Sequence, residues 1–465
     1  MAVTAIDNDP PARPTAYRAV WRWHFYAGLF TAPLLVILTL TGALYLFDRE
    51  VDGWWNREIQ TVAVAGAPLP LATQEAAVAR ALPDARIGRV RLPHGPGEAS
   101  VWNVRLPDGA MRDVYLDPYR GRVTGTVDPA TQPTNIIRDL HGNLMAGEAG
   151  SYVVELIACW TLVMLATGIW LWWPRRWKLK GVFVPRLSAT GRRFWRDLHA
   201  IPATVNAVLV ALLILTGLPW SAFWGHQFAR IGESVPFIAP SPNFRAAPKV
   251  DGGAGANDHA MHDPEAAKLP WTIRQTTPPH GSGGHHHGDH QRIGIADIER
   301  LLPLLDRQQF GEGVRIFYPA DPASVFTISY VPDKAEGQRT IYVDPANGRI
   351  IGNVGWENYS PIAKAVEWGV ELHVGRQYGL ANQLANLTVC LALIGGVVAG
   401  IVLWWRRRPK GELAAPALHP TDRLPPIVVG MIAAMAILFP LVGASLLIVL
   451  GFQRSVRAFA RVGRT

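Results

Sequence analysis

Five stretches of this sequence are each about 20 residues or longer and almost free of charge, and no other feature constrains the chain as much. They cover residues 21–47, 152–173, 197–224, 380–405 and 426–452. Segments of that length and polarity match the hydrocarbon thickness of a bilayer, so the pattern predicts five membrane-spanning helices. The first block is too long for the apolar stretch of a signal peptide, and no small-residue cleavage motif follows it, so it reads as a span. Composition agrees: 49% of the residues are hydrophobic and only 17% charged, which excludes extensive disorder. The two cysteines, Cys159 and Cys390, are too few for a disulfide framework or a cysteine-ligated cluster, and read as small apolar packers.

The net charge of +9 matters less than where it sits. The short connection 174–196 carries Arg175, Arg176, Lys178, Lys180, Arg186, Arg192, Arg193 and Arg196 and no acid until the next span begins. The connection 406–425 opens with Arg406, Arg407 and Arg408. Basic short loops stay cytoplasmic, so both connections and the N-terminal tail (1–20) are expected in the cytoplasm. The long segments 48–151 and 225–379 then lie on the other side, the periplasm in a bacterium. Five crossings would put the tail 453–465 outside too, although it carries Arg454, Arg457, Arg461 and Arg464. Pro440 interrupts the fifth block. The basic loops set topology, and nothing in the pattern points to nucleic acid.

The chain also repeats itself. Trp23-His24 heads the first block and Leu198-His199 the third, and each block ends in Leu-Thr-Gly, at Gly42 and Gly217. Leu140-His141 leads to Gly147, Gly168 and Trp172-Trp173, and Leu372-His373 leads to Gly379, Gly400 and Trp404-Trp405, all at one offset of 232 residues. The outer segments match as well. Tyr115-Leu116-Asp117-Pro118 with Gly121 parallels Tyr342-Val343-Asp344-Pro345 with Gly348, each reading as strand, turn, strand. An amphipathic helix precedes each, near 71–82 and 295–305. The expected architecture is an α-helical membrane bundle of four core spans from a tandem repeat plus a fifth span, with two small periplasmic α+β domains at 48–151 and 292–379. The Pro-, Gly- and His-rich stretch 225–291 reads as a linker.

Four histidines sit at span ends: His24, His199, His141 and His373. The two within one repeat are separated by roughly 30 Å of hydrocarbon, so His24 can meet only His199, and His141 only His373. Two bis-histidine sites stacked in a four-helix bundle suit the axial ligands of two b-type haems. Eighteen residues make five helical turns, so Gly42 and Gly217 fall on the face of His24 and His199 but about 27 Å further along. Gly168 and Gly400 lie level with the inner pair. These four glycines are expected to give a flat macrocycle clearance. Asp139, Asp197 and Glu371 each precede a histidine by two positions, which on a helix points them elsewhere, so they receive no ligand role. Glu155 is the one acid inside a span. In the linker, His285, His286, His287 and His290 form a separate tract that could capture transition metals.

On these residues the chain resembles the PepSY-associated transmembrane proteins, a bacterial family that includes iron-regulated inner-membrane proteins and ferric-siderophore reductases. The Tyr-x-Asp-Pro-x-x-Gly turn (115–121 and 342–348) and the histidine-led spans carry the resemblance over roughly residues 17–455. The resemblance implies a haem-b electron carrier of the bacterial inner membrane that reduces ferric iron in periplasmic siderophores or other metal chelates, with haem ligands at His24, His141, His199 and His373. No nucleotide-binding glycine motif is present, so electrons would come from quinol or from a separate cytoplasmic reductase. Two other readings remain: a PepSY sensor or protease inhibitor without cofactor, and a metal-handling accessory that uses the His-rich tract. Lipid is the expected surroundings of the spans.

Overall fold

The computed structural model describes residues 15–174, 176–234, 269–274, 278–279, 293–302, 313–321, 324–408 and 424–462. The chain runs α1 (Thr15–Tyr45), α2 (Asp48–Trp55), α3 (Leu71–Ala81), β1 (Arg86–Arg91), β2 (Ser100–Arg105), β3 (Met111–Asp117) and β4 (Arg122–Val127). It continues through α4 (Pro133–Asn143), α5 (Gly147–Trp172), α6 (Gly191–Val205), α7 (Ala207–Gly217) and α8 (Ala222–Ser234). Then come α9 (Ile295–Leu301), β5 (Arg315–Phe317), β6 (Phe326–Tyr330), β7 (Arg339–Val343), β8 (Ile350–Gly355) and α10 (Pro361–His373). The last helices are α11 (Leu380–Trp405), α12 (Pro426–Leu438) and α13 (Pro440–Val462). Two compact units result: Met1–Ala43 with Leu140–Phe223 and Leu387–Thr465, and Leu44–Asp139 with Trp224–Asn386.

The first unit is helical. α1, α5 and α11 are each long and apolar enough to cross a membrane. Large apolar side chains stand exposed on them, such as Phe30 and Leu391, which is what a lipid-facing surface requires. α5 packs against α6, α7, α12 and α13, and its Trp160 indole donates to Ser445 Oγ at 3.0 Å. The lone intramembrane acid, Glu155, is buried and accepts the backbone N–H of Phe223 at 2.8 Å, satisfying a donor at the start of α8.

Two of the five expected spans differ from a straight crossing. The block 197–224 is a pair, α6 and α7, bent by 57° at Asn206. Pro202 lies inside α6 and its missing N–H weakens the ladder one turn before the break, while Asn206 Nδ2 donates back to the Pro202 carbonyl at 2.8 Å. The block 426–452 is a hairpin-like pair, α12 and α13, bent by 120° at the Phe439–Pro440 junction. The 13 residues of α12 reach only about 20 Å, short of a hydrocarbon core of roughly 30 Å. His141 is also set apart from its span. It lies on α4, and α5 begins only after Leu144 and Met145, which hold left-handed backbone angles (φ 53° and 59°) that non-glycine residues rarely adopt.

The second unit holds the outer segments, and they do not form two separate domains. Their strands join in one antiparallel eight-stranded sheet in the order β4-β3-β2-β1-β5-β6-β7-β8. β1 and β5, each an edge of its own half, pair with each other and so remove two exposed edges. One sheet face packs on α3 and α9 around Val90, Trp102, Val114, Leu116, Ile316, Ile328 and Ile341. The two Asp-Pro-x-x-Gly turns sit between β3 and β4 and between β7 and β8. Asp117 Oδ1 accepts from Tyr119 N at 2.9 Å and Asp344 Oδ1 from Ala346 N at 2.9 Å, and Gly121 and Gly348 supply the positive φ that closes each turn. Part of the expected linker is structured: residues 271–274 form a short helix in which Trp271 and Ile273 are buried and Thr272 N donates to Glu367. His285, His286, His287 and His290 lie outside the described residues.

Candidate functional site

In the first unit α1 and α6 bring two imidazoles face to edge. The His24 and His199 ring centres are 6.2 Å apart and their planes differ by 80°. Each ring is held from behind. His24 Nδ1 lies 3.0 Å from Thr167 Oγ1 on α5, and that hydroxyl already donates to the Val163 carbonyl at 2.9 Å, so it accepts from an Nδ1–H. His199 Nδ1 lies 2.7 Å from the Gly396 carbonyl on α11, which can only accept. Both protons are therefore fixed on Nδ1, and Nε2 carries the lone pair on each ring.

Glycines seat these rings. A Cβ added at Gly168 would stand 3.3 Å from His24 Cε1, and one at Gly400 would stand 3.2 Å from His199 Cε1. The histidines thus come from α1 and α6 and the glycines from α5 and α11. At Gly168 and Gly400 the absence of a side chain makes room for the imidazole.

His141 repeats the arrangement within the same unit. Its Nδ1 lies 2.9 Å from the Leu38 carbonyl and 3.2 Å from Thr41 Oγ1, both on α1, and a Cβ at Gly42 would meet its Cε1 at 3.0 Å. Burial pushes this imidazole below its ordinary range. His373 belongs to the second unit, where it is the last residue of α10. Asn386 Nδ2 donates to the His373 and Leu372 carbonyls at 3.0 and 2.8 Å, and Asn382 donates to Leu372 as well, so the first turns of α11 cap the end of α10. Gly217 ends α7; with the 57° bend between it and His199, the two do not share one straight helix face as the spacing suggested.

Asp197 is engaged by guanidinium groups: Arg186 Nε and Nη2 donate at 2.7 and 3.0 Å and Arg196 Nη2 at 2.7 Å. This clamp ties the basic connection to the first turns of α6. Near the chain ends of α1 and α11, Phe25 meets Trp404 at 5.9 Å and Arg408 lies over the Trp405 ring at 3.3 Å, an aromatic belt of interfacial type.

Chemically, two imidazoles whose ring centres lie 6.2 Å apart, each with Nδ1 committed to a partner, can bind one metal ion from two sides. Rings bound that way have centres roughly 6 Å apart, because each metal–nitrogen bond is about 2 Å long. Among the described residues no three of His, Cys, Asp or Glu gather to complete a bare metal site. An ion held by His24 and His199 would need its other ligands from elsewhere, and a planar tetrapyrrole supplies four. The residues present fit that group. The sequence reading missed Thr41 and Thr167; their signal was the Thr-Gly pairing at 41–42, 167–168 and 216–217.

The sequence profile described as PepSY-associated TM region matches residues 21–407. Among curated proteins none matches the chain.

Proposed function

The chain belongs to the PepSY-associated transmembrane family, and from that premise we propose that it is a haem-b electron-transfer protein of the bacterial inner membrane that reduces ferric iron, bound by a siderophore or another chelator, on the periplasmic side. The observation that carries the reading is the His24–His199 pair: ring centres 6.2 Å apart, both Nδ1 protons committed, both Nε2 lone pairs left for a metal. In this reading His24 and His199 hold one haem, and the repeat in the sequence marks His141 and His373 as candidate ligands of a second. The iron of a bound haem supplies one-electron exchange.

The protein's own residues do the rest. Thr167, Gly396 and Leu38 fix the imidazole tautomer and raise the basicity of Nε2, and Gly168, Gly400 and Gly42 hold the rings at one depth each. The apolar walls of α1, α5, α6 and α11 keep water away. No general acid or nucleophile is needed. Reduction releases the metal because hard oxygen donors suit Fe(III) better than Fe(II). The basic connections 174–196 and 406–425 lie in the cytoplasm, the sheet unit in the periplasm, and the electron donor is quinol or a cytoplasmic reductase.

A visible absorption spectrum of the full chain purified in detergent tests this. A low-spin b-type spectrum that is lost or halved in His24→Ala is expected. A colourless wild-type protein from haem-sufficient cells sinks the proposal.

A further inference from the structure

The connection between α5 and α6 is a built loop held at both ends. Gly181 N donates to the Val184 carbonyl at 2.8 Å and Val184 N to the Leu179 carbonyl at 3.0 Å, which closes a tight turn. Gly181 supplies the left-handed backbone angle (φ 86°) that this turn needs. A Cβ there would also stand 2.8 Å from Arg186 Cζ, so glycine lets that side chain cross the turn. Arg186 then donates to Asp197, on α6, through both Nε and Nη2. At the other end the Trp172 indole, the last residue of α5, donates to the Val182 carbonyl at 3.2 Å.

This frame holds apolar side chains outward. Leu187 is 72% exposed, Leu179 69%, Trp173 64% and Trp177 55%, and Phe183 and Val184 are exposed as well. The rings form one cluster. The Trp177 ring centre lies 5.6 Å from that of Trp173 and 5.7 Å from that of Phe183, the latter pair stacked at 24°. A contiguous apolar ridge on a short polar connection implies that something covers it. Setting membrane topology requires only the positive charge of such a loop and explains neither the turn nor the ridge.

The surroundings of the ridge point to the occupant. Arg176, Lys178 and Lys180 are exposed, and the two lysines flank Leu179 in the chain. No Asp or Glu occurs between 173 and 196, and Asp197 is occupied by Arg186 and Arg196. A second copy of the loop would therefore oppose like charges. The ridge is continuous, through Trp173 and Trp177, with the end of α5, which is long and apolar enough to cross a membrane. Lipid around α5 is thus already beside it. Indole rings favour the headgroup level, leucines the acyl boundary, and lysine stems reach from apolar surroundings to charged headgroups.

We propose that the connection 173–187 is an interfacial anchor that seats in the leaflet at this end of α5 and selects anionic phospholipid. Trp173, Trp177, Leu179 and Leu187 enter the lipid, and Lys178 and Lys180 meet the headgroup phosphates. Through Arg186 and Asp197 the anchor also fixes the start of α6, the helix that carries His199. The inference rests on the loop and on the membrane setting of α5, and holds whether or not the chain carries haem.

A nitroxide on the full chain tests the seating. It is placed by Leu187→Cys in a Cys159→Ala, Cys390→Ala background and reconstituted in vesicles of phosphatidylcholine and phosphatidylglycerol. Collision with oxygen should exceed collision with a water-soluble nickel chelate at 187, and the reverse should hold for Asp108→Cys, in the exposed turn between β2 and β3. Selection is tested by the phosphatidylglycerol-to-phosphatidylcholine ratio of lipid retained on detergent extraction. That ratio should exceed the ratio in the vesicles and fall about fivefold for each lysine lost in Lys178→Gln and Lys180→Gln. Arg112→Gln, at an ion pair with Asp128 in the sheet unit, should leave it unchanged. A label at 187 as open to the chelate as the label at 108 overturns the anchor. So does shielding that appears only when a cytoplasmic extract is added, which would assign the ridge to a protein. An unchanged lipid ratio in a doubly substituted protein that melts like the wild type overturns the selection of anionic lipid.

Discussion

Thr167 shows how much a single side chain decides at the candidate site. Its hydroxyl donates to Val163 and accepts from His24, so Thr167→Val removes the acceptor without changing shape. Loss of such an outer partner typically weakens metal affinity about 10–100-fold. We expect lower haem content in Thr167→Val, measured as the haem-to-protein ratio. Gly168→Leu should be harsher, since even a Cβ sits 3.3 Å from the His24 ring, and its haem-to-protein ratio should fall toward zero. A third residue bears on pH. His94 falls from an ordinary 6.5 to about 4, so the folded chain disfavours the proton that the unfolded chain accepts. The stability this confers is complete above pH 6.5 and is lost as pH falls from 6.5 to 4. Melting curves of His94→Gln across that range should decline less steeply than those of the wild type. His24, His199 and His141, with Gly168, Gly400 and Gly42 against their rings, could be picked out in the sequence because repetition marked each position twice. The carbonyls of Leu38 and Gly396 were not, since a backbone acceptor has no residue identity to read.

Elements were legible where length alone decides, and illegible where a break decides. Twenty-six mostly apolar residues without a proline, as in α5 and α11, give one helix. The bends at Asn206 and Pro440 depend on where freed backbone groups find partners, and that periodicity does not record. The 120° bend has a topological outcome. If α12 enters the membrane and α13 returns, the arginines at 454, 457, 461 and 464 rejoin the basic connection 406–425, which removes the conflict that a single fifth crossing created. A reporter fused after Thr465 should therefore read the same side as one placed in 409–423, whereas opposite readings would restore a full crossing. Left-handed backbone at Leu144 and Met145 separates α4 from α5 and lets His141 face α1 independently of its span.

At the scale of the whole sheet unit, the turns and flanking helices could be read from the sequence, but the join between the halves could not. Nothing in an alternating pattern names the partner of an edge strand. The join makes the halves interdependent: Val90 and Ile316 are both fully buried at its centre. Ile316→Ala should cost about 2–5 kcal/mol. Its amides in β2–β3 and in β6–β7 should lose hydrogen-exchange protection together; loss confined to β6–β7 would mean that the halves fold separately. The same join speaks to ancestry. Equivalent strands meet antiparallel about an equivalent residue pair, which is how two identical subunits pair across a two-fold axis. A half-length ancestor would have made this contact with another copy of itself. Fusion of two such halves would turn a concentration-dependent homodimer into a permanent one, and would release positions 91 and 317 from having to be the same amino acid.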